Sequence, residues 1–292
     1  MKDDRLHLEA DAYRLVVAPY LGGSILEFLW SGVPVMRRSS GGSILDAACF
    51  PLVPFSNRIA SGRFVWEGRE VVLARNFPGS DHPHPLHGFG WLSPWRVCRS
   101  TQTSAVLEHV YSGREWPWSY RAELQYDLRA EGLFASLTLT NHADTSMPAG
   151  VGFHPYFVRY ADTVYRGLHC GEWRNSGDGL PVSLEEHDKP RDWWNGAPVG
   201  TRIVDTVYTR RHGDIEIFSR QRGLHIHVSC SPLLSFTAML VPPDEDWLCV
   251  EPVSHMTNAV NLGRRDSGLT ALRPGESVAG TICIKDAHHP AP

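Results

Sequence analysis

The sequence predicts an all-β protein in which antiparallel sheets pack face to face as a large β-sandwich. Three observations support this fold class. Apolar and polar residues alternate in several segments, turn-forming dipeptides separate those segments, and no stretch repeats apolar residues with helical spacing. Strands that follow one another without intervening helices favour packed antiparallel sheets over a parallel, doubly wound sheet.

The clearest strand is predicted at residues 132–140, where Leu133 and Leu137 share one face and Thr138 lies on the other. This period of two indicates a strand with one buried face. Glycine-containing turn signals, such as Glu131-Gly132 and Pro274-Gly275, recur between such segments. The same alternation is present at residues 121–126, 224–229 and 281–284.

Helical signals are confined to a turn or two at residues 183–187. The polar stretch at 169–200 is predicted to be a long surface excursion, either a lid or a wall of a cleft. The sequence contains no internal repeat, low-complexity segment or linker that would divide the chain. We therefore predict a single domain over residues 1–292, since all-β folds often reach about 250 residues as one unit.

Composition and charge exclude several classes of protein. Hydrophobic residues make up 42% of the chain and charged residues 21%, a balance that excludes intrinsic disorder. The net charge is -4 and no basic stripe is present, so no nucleic-acid partner is expected. No apolar run approaches the length of a membrane span, so no association with membranes is expected either.

The cellular compartment is also suggested by the sequence. The charged start of the chain, residues 1–5, is not followed by an apolar segment, which argues against a secretory signal peptide. Six scattered cysteines without a C-x-x-C pair indicate reduced thiols in place of a disulfide framework. A cytoplasmic protein, either monomeric or homodimeric, is the expectation.

Ring-bearing residues are abundant, with 10 tryptophans and 15 histidines. Aromatic faces combined with neutral polar groups suit hydroxylated ligands such as sugars. An aromatic β-core would account for the same composition, so both interpretations stay open at this level.

A histidine-rich segment at residues 81–91 invites a metal-site hypothesis. His82 and His84 have the H-x-H spacing of ligands on a strand, and His225 and His227 repeat it. However, the prolines that alternate with the first two histidines prevent regular strand hydrogen bonding. Solvated loop histidines are therefore the favoured interpretation of His82 and His84.

Two other histidines are better candidates for chemistry. His87 precedes Gly88, which allows close approach of the backbone to a ligand, and lies near Trp91 in an aromatic loop. His154 lies between glycines and a proline, among aromatic residues that would desolvate it and lower its pKa. Each of the two suits either an acid catalyst or a structural histidine.

Two polar positions interrupt apolar segments. Glu251 ends the apolar strand at 247–250, where a carboxylate is either paired with a cation or kept available as a base. Asn57 and Arg58 place hydrogen-bond donors inside another apolar stretch. Arg58 is either the partner of Glu251 or a ligand-binding group.

Taken together and in this order, these motifs resemble the aldose 1-epimerase (galactose mutarotase-like) family. The resemblance covers nearly the whole chain, and the ordered set is far more specific than any one motif. Its parts are residues 18–25, Asn57-Arg58-Ile59 with Gly62-Arg63-Phe64, Pro85-Leu86-His87-Gly88 leading to Trp95, His154-Pro155-Tyr156-Phe157, and Glu251-Pro252 with Asn258-Ala259.

The resemblance implies a supersandwich fold with a sugar cleft, no metal or organic cofactor, and a monosaccharide substrate whose α and β anomers are interconverted. It implies that Glu251 is the general base at the anomeric hydroxyl and that His154 is the general acid at the ring oxygen. His87 also belongs to this implied catalytic set. The implied sugar-binding residues are Arg58, Asn57, Asp205 and Trp91.

The sequence also departs from the pattern of the sugar mutarotases. Phe89 stands where a second glycine usually follows the His-Gly pair, which looks more like the hexose-6-phosphate epimerase branch. That branch needs cations around a phosphate, for which Arg63, Arg75 and Arg96 are candidates. The leading hypothesis is an aldose 1-epimerase that acts on a free sugar. The alternatives are a phosphosugar epimerase, a non-catalytic sugar-binding protein and, more remotely, a cupin-like metalloenzyme.

Overall fold

The regular structure consists almost entirely of β-strands. The structure is a computed structural model that describes residues 4–201, 203–263 and 266–286. Within these residues the strands are β1 (Leu6–Ala10), β2 (Tyr13–Ala18), β3 (Ser24–Trp30), β4 (Val33–Pro34), β5 (Pro51–Leu52), β6 (Arg63–Trp66), β7 (Arg69–Val72), β8 (Arg96–Ser100), β9 (Ser104–Tyr111), β10 (Tyr120–Arg129), β11 (Gly132–Asn141), β12 (Met147–Ala149), β13 (Gly152–Phe153), β14 (Tyr156–Val158), β15 (Val164–Leu168), β16 (Gly171–Asn175), β17 (Pro181–Glu185), β18 (Ala197–Pro198), β19 (Val204–Thr209), β20 (His212–Ser219), β21 (Leu224–Cys230), β22 (Phe236–Val241), β23 (Trp247–Val253), β24 (Thr270–Leu272) and β25 (Ser277–Asp286).

Helical structure in the described part of the chain is limited to short 3-10 turns. None of them is long and apolar enough to cross a membrane. The turns span Ile44–Asp46, Ala60–Gly62, Gly90–Leu92, Lys189–Trp193, Val199–Thr201 and Ala259–Asn261.

Two large sheets dominate the topology. One has nine strands in the order β18-β15-β20-β21-β25-β11-β10-β9-β8. The other has eight, in the order β17-β16-β19-β22-β23-β13-β5, with β14 also paired to β23. A four-stranded sheet (β1-β2-β3-β4) and two small ribbons (β12-β24 and β6-β7) complete the fold. The named strands pair antiparallel, so the predicted all-β antiparallel class is confirmed.

The predicted strands are found where the alternation placed them. The segment 132–140 lies in β11, and the shorter segments lie in β10, β21 and β25. The helical prediction at 183–187 is wrong, because residues 183–185 belong to β17, which pairs with β16. Cross-strand pairing there overrides the local preference for a helix.

Strand alternation also determines where the core lies. Leu124 on β10 and Leu137 on β11 are paired neighbours, fully buried in the main core. Val250 on β23 contributes to the same core from the eight-stranded sheet. The residues on either side of it, Cys249 and Glu251, point to the opposite face because strand side chains alternate. That opposite face carries a smaller apolar cluster and the candidate functional site.

Candidate active site

Glu251 is a buried carboxylate on the outer face of the eight-stranded sheet. It lies on β23 opposite Ala238 of β22, and its side chain is only 6% exposed. An ionised carboxylate at such a position needs a partner or loses its charge. Its Oε2 atom has no hydrogen-bond partner among the described residues.

His154 lies directly across from Glu251 because of strand register. Gly152 of β13 pairs with Val253, and Tyr156 of β14 pairs with Cys249, so the residue midway between them faces Glu251. The distance between His154 Nε2 and Glu251 Oε1 is 3.2 Å, and the histidine side chain is 7% exposed. The two proposed proton-transfer groups therefore form one pair.

Burial controls the protonation of this pair. It raises the pKa of Glu251 to about 8, with a further rise from Asp205 and an opposing effect of Arg58. Burial lowers the pKa of His154 to about 3, assisted by the positive charge of Arg37. Both shifts favour the neutral forms. Near pH 7 the pair consequently holds one proton between the carboxylate and the imidazole.

His87 is held by a reciprocal backbone contact with Asn57. The main-chain N–H of His87 donates to the carbonyl of Asn57 over 3.0 Å, and the N–H of Asn57 donates to His87 Nδ1 over 3.1 Å. Both residues have positive φ angles, 61° and 58°, which brings the two loops together. Because Nδ1 accepts a hydrogen bond, the ring proton is on Nε2.

The imidazole of His87 is neutral near pH 7. Burial lowers its pKa well below the usual value, with smaller electrostatic contributions in the same direction from His154 and Arg58. The ring stands nearly perpendicular to that of His154, with 5.2 Å between centroids. His87 thus presents a neutral N–H donor beside the acid–base pair.

Arg58 and Asp205 lie on the same side of the cavity. Arg58 Nη2 is 3.5 Å from Asp205 Oδ2, and Asp205 is half exposed. Arg58 Nη1 donates to Asn57 Oδ1 over 3.2 Å, whereas its buried Nε has no partner among the described residues. Arg58 therefore pairs with Asp205 and leaves Glu251 to His154.

A hairpin from the predicted surface excursion covers the other side of Arg58. A Cβ atom added at Gly179, in the turn between β16 and β17, would lie 2.7 Å from the Arg58 guanidinium carbon. The adjacent Asp178 contacts His84 Nε2 at 3.2 Å. Of the two alternatives for residues 169–200, a wall beside the site fits this packing.

The side chain of Trp91 forms part of the cavity wall. Its indole N–H donates to the carbonyls of Leu86 and Gly88, each over 3.2 Å. Its ring stacks on Phe50, with 5.4 Å between centroids. Trp91 is only 1% exposed, so its ring shapes the cavity wall from within, and its N–H is already used by the loop.

These side chains surround a cavity of about 350 Å³. All seven predicted site residues line it: Asn57, Arg58, His87, Trp91, His154, Asp205 and Glu251. The cavity volume lies within the range of small-molecule sites. The roles assigned to these residues from sequence stay predictions.

Several lining residues were not predicted from sequence. The guanidinium of Arg37 lies 3.5 Å above the Tyr156 ring and donates to the carbonyls of Leu45 and Ala47. Phe50 packs on both His87 and His154. Neither residue belongs to a recognisable motif, because both reach the cavity through long-range pairing. Phe77 and Trp247 also line the cavity and were not predicted as site residues.

Other sequence candidates lie elsewhere. Arg63, Arg75 and Arg96 do not line the cavity. The prediction that His84 is a solvated loop residue is wrong, because its side chain is 4% exposed and its Nδ1 accepts the N–H of Ser61. His82 is partly exposed, contacts the carbonyl oxygen of His84 through Nδ1, and lines the cavity.

Three side chains at this site carry potential metal ligands. His154, Cys249 and Glu251 place potential ligand atoms within 4.8 Å of one another. Burial raises the pKa of the Cys249 thiol well above its usual value, so the thiolate that metals prefer is disfavoured. The donor set fits a proton-sharing pair beside a neutral thiol better than it fits a metal centre.

A family model and a related bacterial protein both match nearly the whole chain. The family model for aldose 1-epimerase matches residues 4–285. The uncharacterised protein YphB of Escherichia coli K12 is 31% identical over 274 residues, which cover 90% of this chain and 92% of that protein.

Solved structures share the fold. A provisionally named aldose 1-epimerase from Escherichia coli K12 is 30% identical with a TM-score of 0.89, covering 97% of this chain and 98% of the other. A galactose mutarotase-like protein from Clostridium acetobutylicum has 19% identity and a TM-score of 0.85, covering 97% and 95% of the two chains. The latter similarity concerns the fold alone.

Proposed function

The chain belongs to the aldose 1-epimerase family, and from that premise we propose that it interconverts the α and β anomers of a free aldose. The observation that carries this proposal is the buried His154–Glu251 pair, 3.2 Å apart on the wall of a cavity. Anomer exchange needs one proton removed at O1 and one delivered to the ring oxygen, O5. A carboxylate and an imidazole that share one proton can perform both transfers.

The reaction begins with the proton of the pair on His154 and Glu251 as a carboxylate. Oε2 of Glu251, which has no protein partner among the described residues, accepts the proton from the anomeric hydroxyl. The C1–O1 bond becomes a carbonyl as the C1–O5 bond breaks, and His154 gives its proton to O5. Rotation about C1–C2 and the reverse transfers then close the other anomer.

Burial makes both groups more effective in these roles. A raised pKa makes the Glu251 carboxylate a stronger base, and a lowered pKa makes protonated His154 a stronger acid. The same burial disfavours the form in which His154 is protonated and Glu251 is ionised. Hydrogen bonds from the hydroxyls of the bound sugar must therefore help to stabilise this charged form.

His87 and Arg58 are proposed to hold the sugar during ring opening. The neutral N–H of His87 can donate to a ring or hydroxyl oxygen without competing as an acid. Arg58 and Asp205 offer a donor and an acceptor near the more exposed side of the cavity. The rings of Trp91 and Phe50 are packed within the wall behind the sugar and give that wall its apolar character.

A free sugar is favoured over a phosphorylated one. The arginines that were candidates for a phosphate site do not line the cavity. Arg37 does line it, but two of its nitrogens donate to backbone carbonyls and its plane lies over Tyr156. A dianionic phosphate would also lie near Asp205 and Glu251, which is electrostatically unfavourable.

The proposal is tested by polarimetry of freshly dissolved α-D-glucose and α-D-galactose, together with NMR anomer exchange on glucose-6-phosphate. Accelerated mutarotation of a free sugar is the expected result. Acceleration of the phosphate alone would move the substrate to the phosphosugar class. Saturable sugar binding without any acceleration would replace the enzyme hypothesis with a sugar-binding protein.

A further inference from the structure

A second group of potential ligands lies on the nine-stranded sheet, away from the catalytic cavity. Glu216 on β20 pairs directly with His227 on β21. His225 is two residues before His227, so both imidazoles lie on the same face of the strand. The three side chains thus form a triangle across two neighbouring strands.

The distances within this triangle suit a metal ion. One ligand atom of each side chain lies within 4.8 Å of the other two. His225 Nε2 is 3.2 Å from Glu216 Oε2, and the two imidazole centroids are 4.8 Å apart. Ligands of a tetrahedral zinc ion lie about 3.3 Å from one another, since each is about 2.0–2.1 Å from the metal. Small side-chain rotations would close the remaining gap.

Arg166 fixes the orientation of the carboxylate. Its Nη1 donates to Glu216 Oε1 over 2.6 Å, which leaves Oε2 directed at His225. In metal sites, a hydrogen bond to the carboxylate oxygen that does not bind the metal commonly orients the oxygen that does. The same guanidinium adds positive charge near the site, which reduces affinity for a cation.

The triangle is accessible from solvent. His225 and Glu216 have side-chain exposures of 30% and 19%. A surface cleft of about 490 Å³ adjoins them, lined in part by Arg166, Trp194 and Arg220. Glu216 and His225 line this cleft, which leaves room for water or another ligand in the fourth position of a metal bound by the three side chains.

We propose that Glu216, His225 and His227 bind one divalent transition-metal ion of the zinc class. Two imidazoles and one carboxylate are a ligand set that zinc accepts. The site is independent of sugar turnover, because none of its residues lines the catalytic cavity. It also uses the His-x-His pair that the anomer-exchange mechanism leaves without a role.

The test is titration of the metal-free protein with Zn²⁺ by calorimetry and with Co²⁺ by visible absorption. We expect one equivalent to bind and Co²⁺ to give the intense bands of a four-coordinate site. His227→Asn and Glu216→Gln should each weaken binding at least tenfold. His142→Asn, at an exposed loop position, is the matched control and should bind as the parent does.

The catalytic pair provides the second comparison. His154→Asn should leave the stoichiometry and affinity unchanged, because the proposed site lies on the other large sheet. Loss of binding in this variant would move the metal to the His154–Cys249–Glu251 cluster and overturn the proposal. No saturable binding up to about 1 mM of either ion would overturn it as well. Circular dichroism of each variant verifies that the sheets remain folded.

Discussion

His154 Nε2 and Glu251 Oε1 lie 3.2 Å apart, and both side chains are almost fully buried. Two ionisable groups this close share protons, and their titrations belong to the pair. The register of β13 and β14 on β23 produces this contact, so it depends on backbone pairing as much as on the two side chains.

The protonation of the pair predicts the pH dependence of catalysis. The one-proton form is active, and it loses its proton as the pH rises through about 8, the raised pKa of Glu251. We expect kcat/KM to be level between about pH 5 and 7 and to fall about tenfold per pH unit well above 8. NMR anomer exchange, corrected for the uncatalysed rate at each pH, measures this profile. A fall centred near pH 6 would contradict the assignment.

Glu251→Gln should reduce kcat/KM by about 10²–10⁴-fold, because an amide cannot accept the proton from O1. Glu131→Gln, at an exposed turn, is the matched control and should keep the parent rate. Polarimetry on the sugar that the parent accelerates is the measurement. Activity of Glu251→Gln near that of the parent would remove Glu251 as the base.

The same substitution should change stability in a pH-dependent way. Folding raises the pKa of Glu251 from 4.5 to about 8, so its contribution is present below pH 4.5 and is lost as the pH rises toward 8. The Tm of the parent should therefore fall relative to that of Glu251→Gln between about pH 5 and 8. Calorimetric scans of both proteins across this range test the sign. A constant difference in Tm would mean that the carboxyl is not desolvated.

His154→Asn should lose most activity while retaining sugar binding. Asparagine fits the space but cannot deliver a proton to O5, so kcat falls by about 10²–10⁴-fold. Isothermal titration with the sugar should give a Kd within a few-fold of the parent. Full activity would transfer the acid role to another group, with His87 the first to examine.

His87 should keep one tautomer throughout the neutral range. The N–H of Asn57 occupies Nδ1, and the pKa of the ring is well below its usual value, so the proton stays on Nε2. Imidazole ¹⁵N NMR between pH 6 and 8 should show one protonated and one unprotonated nitrogen without titration. A shift of both nitrogens toward imidazolium values would contradict this.

Gly179→Ala should weaken sugar binding through Arg58. The added Cβ would come within 2.7 Å of the guanidinium, and φ at this position is +80°, which disfavours a side chain. Arg58 must shift, so KM should rise several-fold while kcat changes less. Gly177→Ala in the same turn is the control, because an added Cβ there has no atom within 4 Å. Equal effects of the two substitutions would exclude this contact as the cause.

The sequence predicted the fold class and seven of the residues that line the cavity, but it did not predict which of those residues contact each other. Alternation over residues 132–140 is visible because β11 is long and buried on one side. β13 and β14 have two and three residues, too few to show a period, although they place His154. The pairing of Glu251 with His154 instead of Arg58 depends on register between distant segments, which local patterns do not contain.

The errors have physical causes as well. Residues 183–187 combine acidic and apolar residues in a way that suits a helix, but pairing with β16 makes their first part a strand. The prolines around His84 led to the prediction of a solvated side chain. In the structure this side chain is buried, and its two ring nitrogens contact the N–H of Ser61 and the carboxylate of Asp178. Ser61 and Asp178 are both distant from His84 in sequence, so the local pattern around His84 does not reveal them.

The placement of Trp247 gives the protein an intrinsic fluorescent reporter of its own cavity. This indole is half-buried in the cavity wall, with 5.0 Å between its ring centroid and that of Tyr156, and it lies near the charge of Arg37. By contrast, Trp116, Trp118 and Trp193 are fully buried. A ligand that displaces water from the wall changes the surroundings of Trp247 and leaves those of the core tryptophans unchanged. Occupancy can therefore be followed by emission alone, even in variants that no longer turn over.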